Sequence, residues 1–278
     1  MFPPKKILFP VDFSDRCAAV APMVETFTGH FEAELTLMHV VEPLTYNDLP
    51  VQHTGSTEGQ LGQYLGDELK YFHVKRIVAH GDPALRIIEH ADKVQTDLIM
   101  LPTHGYGRFR RFILGSVAAK VLHDARCPVW TGVHVQQIPP LEHISFKRVL
   151  CAIDLGRQSC SAIRYAWKFA EEFGAKLTIV HAIPTARDIP SIYVDQDWRH
   201  TLIQNAKAQI ENMQESLGTD ADIHIEADEV PSAVRNCASS LQADLLVIGR
   251  SVEEGVLGRL RTNAYSIIRQ SPCPVISV

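Results

Sequence analysis

Short apolar runs alternate with longer amphipathic stretches along the whole chain. In the first half, Lys6–Val11, Leu35–Val41, Arg76–His80, Leu98–Leu101 and Val129–Thr131 are predicted as strands. Between them, Asp15–Thr28, part of Glu58–Phe72, Ala84–Lys93 and Val117–Ala125 have helical spacing. The second half reads the same way, with strands at Arg148–Ile153, Leu177–Ala182, Ile223–Ala227, Leu245–Ile248 and Val275–Val278. Its helices fit Cys160–Phe173, Arg199–Leu217, Ser232–Leu241 and Asn263–Gln270. The strand runs are apolar almost throughout, as in parallel strands covered by helices on both faces. Ser14 and Ser116 suit helix N-caps, and Pro83 suits a helix start. This alternation predicts an α/β fold with open, doubly wound parallel sheets.

The two halves are copies. Lys5-Lys-Ile-Leu-Phe-Pro-Val-Asp12 is echoed by Lys147-Arg-Val-Leu-Cys-Ala-Ile-Asp154, and Leu35-Thr-Leu-Met-His39 by Leu177-Thr-Ile-Val-His181. Asp97-Leu-Ile-Met-Leu101 aligns with Asp244-Leu-Leu-Val-Ile248, and Cys127-Pro-Val129 with Cys273-Pro-Val275. The matches are collinear, and only loop lengths differ between copies. Pro139-Pro140 interrupts the link between them, which sets domains at 1–139 and 140–278.

A length of 278 residues fits about two domains. With 46% hydrophobic and 21% charged residues there is enough apolar material for two cores. A net charge of −5 argues against nucleic acid or membrane surfaces as partners, which favour basic patches. The start Met1-Phe-Pro-Pro-Lys-Lys does not resemble a signal peptide, and no apolar run reaches the roughly 18 residues of a spanning helix. The expected location is cytoplasmic. Cys17, Cys127, Cys151, Cys160, Cys237 and Cys273 show no Cys-x-x-Cys pair and read as reduced thiols. The histidines show no metal-binding i, i+4 pair, so no metal site is expected.

Candidate chemistry concentrates after the fourth strand, in Leu98-Ile-Met-Leu-Pro-Thr-His-Gly-Tyr-Gly-Arg-Phe-Arg-Arg-Phe-Ile-Leu-Gly-Ser116. An apolar strand runs into a glycine-containing loop, and Gly115-Ser116 opens a helix. Such a loop presents backbone N–H groups and the positive end of a helix to an anion. Gly105 and Gly115 enclose nine residues, Tyr106 to Leu114. The segment resembles the nucleotide loop of the universal stress proteins, which reads Gly-x-x-Gly, nine residues, then Gly-Ser or Gly-Thr. Pro102 stands where that pattern has its first glycine.

The resemblance extends over both copies. It implies two tandem Rossmann-like, five-stranded domains of universal stress protein type. It also implies a stress-response role and ATP as ligand, leaving open an accompanying Mg2+. By resemblance the site comprises Pro10, Asp12, Val40, Gly105, Gly115 and Ser116. Asp12 would lie near ribose and phosphates, the Val40 main chain would meet adenine, and Gly105, Gly115 and Ser116 would cradle phosphates. Each residue also has a plain structural reading. Asp12 can cap its own turn, His39 can be a hydrogen-bonded core histidine, and Gly105 and Gly107 can serve an ordinary turn. Pro102 has no N–H, so a phosphate bond there would be lost. Arg108, Arg110 and Arg111 either compensate for that loss or form a solvated face.

The second copy keeps Asp154 and ends its fourth strand at Gly249, but Arg261-Thr262 replace Gly-Ser, and Glu253-Glu254 oppose phosphate. It reads as a structural partner with a degenerate loop, giving one nucleotide site per chain. No Walker Gly-Lys-Ser/Thr, no Gly-x-Ser-x-Gly elbow and no paired carboxylates of evident role occur, so no enzyme beyond slow ATP hydrolysis is expected. The rival reading is an interaction module of the same family that binds no nucleotide. The resemblance further implies that the two copies pack as an intramolecular pseudo-dimer. Homodimerisation of the whole chain is compatible with the sequence but is not read from it.

Overall fold

The computed structural model describes residues 2–42, 56–102, 114–132, 144–183, 196–250 and 262–278. The chain divides into two compact units, Pro3–Ile144 and Ser145–Val278. The boundary expected at 139/140, with Pro139 and Pro140, lies outside the described residues.

The first unit runs β1 (Lys6–Pro10), α1 (Asp15–His30), β2 (Glu34–Val41), α2 (Thr57–Gln63), β3 (Val74–His80), α3 (Pro83–Val94), β4 (Leu98–Pro102), α4 (Ser116–Asp124) and β5 (Val129–Gly132). The strands are parallel and ordered β3-β2-β1-β4-β5. The chain winds outward from β1 to β3, then returns to place β4 on the other side of β1. The switch point of this doubly wound sheet therefore lies between the carboxyl ends of β1 and β4.

The second unit runs β6 (Arg148–Ile153), α5 (Ser159–Phe173), β7 (Lys176–Ile183), α6 (Gln196–Leu217), β8 (Asp222–Ala227), α7 (Val230–Leu241), β9 (Leu245–Ile248), α8 (Thr262–Gln270) and β10 (Val275–Ser277). Its parallel order, β10-β9-β6-β7-β8, repeats the first. The strands next to the switch points are buried on both faces, from Ile7, Leu8 and Phe9 to Leu98, Ile99 and Met100, as their unbroken apolar runs require.

Repeated motifs mark repeated bonds. Asp97 Oδ2 accepts the N–H groups of Lys5 and Lys6, both at 3.0 Å, and so ties the start of β1 to β4. Asp244 does the same for Lys147 and Arg148, both at 2.8 Å. The two Cys-Pro steps present Pro128 O to Ile99 N–H at 3.0 Å and Pro274 O to Leu246 N–H at 2.9 Å.

Helix starts follow local chemistry. Ser14 caps α1, its hydroxyl accepting Cys17 N–H at 3.3 Å. Asp82 caps α3 through Leu85 N–H at 2.7 Å, with Pro83 in the first turn. Ser116 differs from expectation. It is the first residue of α4, and the N-cap is Gly115, which makes no side-chain cap bond. The helix begins one residue earlier because Gly115 takes the extended cap conformation, φ −61° and ψ 149°.

Candidate functional site

Pro10, Asp12 and Val40 gather at the carboxyl ends of β1 and β2, and Pro102 ends β4 across the switch point. Gly115 and Ser116 open α4 in the same unit. Gly105, Gly107, Arg108, Arg110 and Arg111 lie outside the described residues, as do Glu253, Glu254 and Arg261 of the second unit.

Asp12 builds the turn from β1 into α1. Its Oδ1 accepts Ser14 N–H at 3.0 Å, the Ser14 hydroxyl at 2.5 Å and the Cys17 thiol at 3.0 Å. The second unit repeats this arrangement, with Asp154 Oδ1 accepting Gly156 N–H at 2.8 Å and the Ser159 hydroxyl at 3.3 Å. One oxygen of Asp12 is thus committed to an Asx turn. The residue after each aspartate is left-handed, Phe13 at φ 60° and Leu155 at φ 59°, as the tight reversal demands.

His39 has the structural role. Its Nδ1 bonds Val11 O at 2.8 Å, and a carbonyl can only accept, so Nδ1 carries the proton. Phe13 lies over this ring at 4.4 Å between centroids, and Tyr64 meets Phe13 edge-on at 5.2 Å. Burial pushes the Tyr64 hydroxyl well above its ordinary pKa, and the charges of nearby acids add to the shift. Cys17 is likewise pushed far up by burial, then by Asp12, and is not a thiolate at neutral pH. Nothing in the spacing of Phe13 or Tyr64 singled them out. The signal available was a bulky residue wedged between two Asx-turn residues, Asp12 and Ser14.

Val40 lies past the last bond between β1 and β2. Met38 O accepts Val11 N–H at 2.8 Å and so faces β1, whereas Val41 O accepts Gly81 N–H at 3.0 Å on the β3 side. By alternation Val40 turns its N–H and C=O toward β1, where the chain has already departed at Asp12.

Two prolines shape the switch point. Paired positions between β1 and β4 stop at Leu8↔Ile99. Between β6 and β9 they continue to Ala152↔Ile248, two steps further. Pro10 occupies the place of Ala152 and Pro102 that of Gly249, and neither proline has an N–H to extend the ladder. The strand ends of the first unit are therefore unzipped where the resemblance places a ligand.

The second unit carries a cavity of about 730 Å3 at the carboxyl ends of β6, β7 and β9, reaching the first turn of α8 at Asn263 and Ala264. Sequence reasoning assigned this copy no ligand and missed the cavity. Among the described residues no cluster of His, Cys, Asp or Glu could hold a metal, and no helix is long and apolar enough to cross a membrane.

Comparisons to known proteins agree with the fold. The universal stress protein family matches residues 3–131 and 145–278, nearly the whole chain in two tandem blocks. The chain belongs to the universal stress protein family. Among its relatives, universal stress protein MJ0531 of Methanocaldococcus jannaschii is 33% identical over 137 residues, covering 45% of this chain and 79% of the relative. A universal stress protein of Mycolicibacterium smegmatis is 24% identical over 98% of this chain and 96% of its own. The crystal structure of a universal stress protein from Archaeoglobus fulgidus superposes with a TM-score of 0.76 at 22% identity, over 99% of this chain and 98% of its own. That superposition covers both units of this universal stress protein and establishes the shared fold.

Proposed function

We propose that this universal stress protein binds ATP at the switch point of its first unit and acts as a nucleotide-dependent regulatory or protective factor. The observation that carries the reading is the start of α4. Gly115 makes no side-chain cap bond, so among the described residues no cap side chain competes with an anion for the first N–H groups of α4. Gly115 holds a backbone conformation open to any residue, so its glycine serves space rather than torsion. The outward main chain of Val40 adds a donor and an acceptor for an uncharged ring.

Asp12 keeps Oδ2 without a hydrogen bond among the described residues and would face the ribose or a phosphate-bound Mg2+. Hydrolysis is slow in this reading, because no group described here is placed as a general base. Turnover should fall far below the enzyme median of about 10 per second.

Pro10 and Pro102 favour the second reading, an interaction module without nucleotide, since they remove two backbone donors from the site. Mass spectrometry of the purified, denatured chain separates the two readings. Co-purifying adenine nucleotide is expected. Its absence, together with a melting temperature unmoved by millimolar ATP, would overturn the proposal.

A further inference from the structure

In the first unit the described sheet ends at β3, and in the second at β8. Each of these strands pairs with a single neighbour among the described residues, and no residue of either is fully buried. Bonds of the adjoining strands fix which backbone groups point outward. Gly81 N–H bonds Val41 O on the β2 side, so by alternation Val74, Arg76, Val78 and His80 face away from the sheet. Lys176 N–H bonds Lys147 O, so Leu177, Ile179 and His181 serve β8. Ala221, Ile223, Ile225 and Ala227 then point outward. Ala221 shows what such an edge accepts. The Gln214 amide takes its N–H at 2.6 Å and donates to its carbonyl at 3.1 Å, as a neighbouring strand would.

Side chains divide between the two faces by the same alternation. Arg76 reaches Leu61 O at 3.0 Å and Tyr64 O at 3.3 Å, which puts Val74 and Val78 on the α2 face with it. Lys75, Ile77 and Ala79 take the α3 face. Lys75 stands there with Lys93: burial first, then these two charges, hold the His90 pKa below its ordinary value. The face of β8 equivalent to that of Lys75 carries Asp222, His224 and Glu226, since Thr36 pairs with Lys75 and Thr178 with Asp222. It lies toward α7, where Glu226 adds to burial in raising the Cys237 thiol. Asp222 bonds Lys176 at 2.6 Å, and Glu226 bonds His224 at 2.9 Å. With His224 neutral, this face keeps a net negative charge. Ile223 and Ile225, both half-buried, take the opposite face.

Two equivalent edges meet with equivalent faces on the same side when their strands run antiparallel, because one is turned by half a revolution about the sheet normal. Two β3 edges would then bring lysines together, and two β8 edges acids, both unfavourable. The β3 and β8 edges complement each other. With Val74–Ala79 laid antiparallel to Asp222–Ala227, Lys75 falls opposite Glu226 on one face, and Val78 opposite Ile223 on the other. We propose that the β3 edge of one chain binds the β8 edge of a second copy, joining antiparallel strand pairing to a Lys75–Glu226 ion pair. Such a contact is head-to-tail. Each bound copy still offers one edge, so copies add into chains or rings rather than stopping at a dimer. An interface of one strand pair is small, so association is weak and rises with concentration. The inference is independent of ATP binding, since neither edge contains a residue of the candidate site.

Analytical ultracentrifugation of the full chain over a concentration series tests the inference. The wild-type chain is expected to grow beyond a dimer as concentration rises. Lys75→Glu and Glu226→Lys each set like charges across the edge, and each should weaken association by about fivefold. Mixed in equal amounts, the two single variants have one matched pair of edges between them and should form a dimer and nothing larger. The double variant, Lys75→Glu with Glu226→Lys, restores every match and should again grow beyond a dimer. Val78→Pro removes an outward N–H without breaking a bond to β2. It should abolish growth while circular dichroism keeps the native signal. A wild-type chain that stays monomeric, or stops at a dimer, up to its solubility limit would overturn the inference. So would growth that these variants leave unchanged, or a mixture and a double variant that fail to recover association.

Discussion

The imidazole of His39 donates its Nδ1–H to the carbonyl of Val11 at 2.8 Å, bridging from β2 to the residue at which β1 gives way to the site turn. His181 and Ile153 make the same bond at 3.0 Å in the second unit. The bond sits under Asp12 in one unit and under Asp154 in the other, so it belongs to the frame that both copies share.

Replacing His39 by alanine leaves the carbonyl of buried Val11 without its ring donor. An unsatisfied buried group costs about 1–3 kcal/mol, so His39→Ala should lower the stability of the first unit by that order. His181→Ala should lower that of the second similarly. Denaturant melts followed separately for each unit check this. A loss below about 0.5 kcal/mol for both would show that solvent replaces the bond.

Pro102→Gly restores an N–H at the carboxyl end of β4. Ile99 faces β5 through its bond to Pro128 O, so by alternation residue 102 faces β1 and the switch point. A charge-assisted bond to phosphate contributes about 1.5–3 kcal/mol, hence ATP affinity should rise about tenfold or more. Calorimetry on the variant reads it directly, and unchanged affinity would remove Pro102 from the site.

Burial raises the Cys237 and Cys273 thiols to about 11, from an ordinary value near 9. Both stay protonated in the folded chain while the unfolded chain ionises above about pH 9. Their contribution is complete below that pH and is lost as pH rises toward 11. Melting temperature should therefore be insensitive to these thiols near neutrality and fall between about pH 9 and 11. Cys237→Ala with Cys273→Ala should flatten that fall, and an equal fall in the double variant would place its cause elsewhere.

Much of the frame was legible in the sequence because repeated letters marked repeated bonds. Asp97 and Asp244, the two Cys-Pro steps, and the His39 and His181 positions each correspond to a contact that fixes strand register. The plain readings of Asp12 as a turn residue and of His39 as a bonded core histidine agree with their hydrogen bonds. What pattern alone missed depended on neighbours. Ser116 looked like a cap because serine caps well in isolation, yet the extended conformation falls on Gly115. The cavity of the second unit comes from several small losses of volume, at Ala162, Val180, Ala182 and Gly249, which lie far apart in sequence and meet only in the fold. Laying one copy over the other, residue by residue, would have revealed them.

Calorimetric titration of the intact chain with ATP tests most directly whether a single ATP site lies at the start of α4. A stoichiometry near one is predicted for the wild-type chain. Gly115→Arg keeps an allowed backbone conformation, so it should preserve the fold while filling the space a phosphate needs, and heat of binding should vanish. A stoichiometry near two, or an affinity unchanged by Gly115→Arg, would contradict the claim.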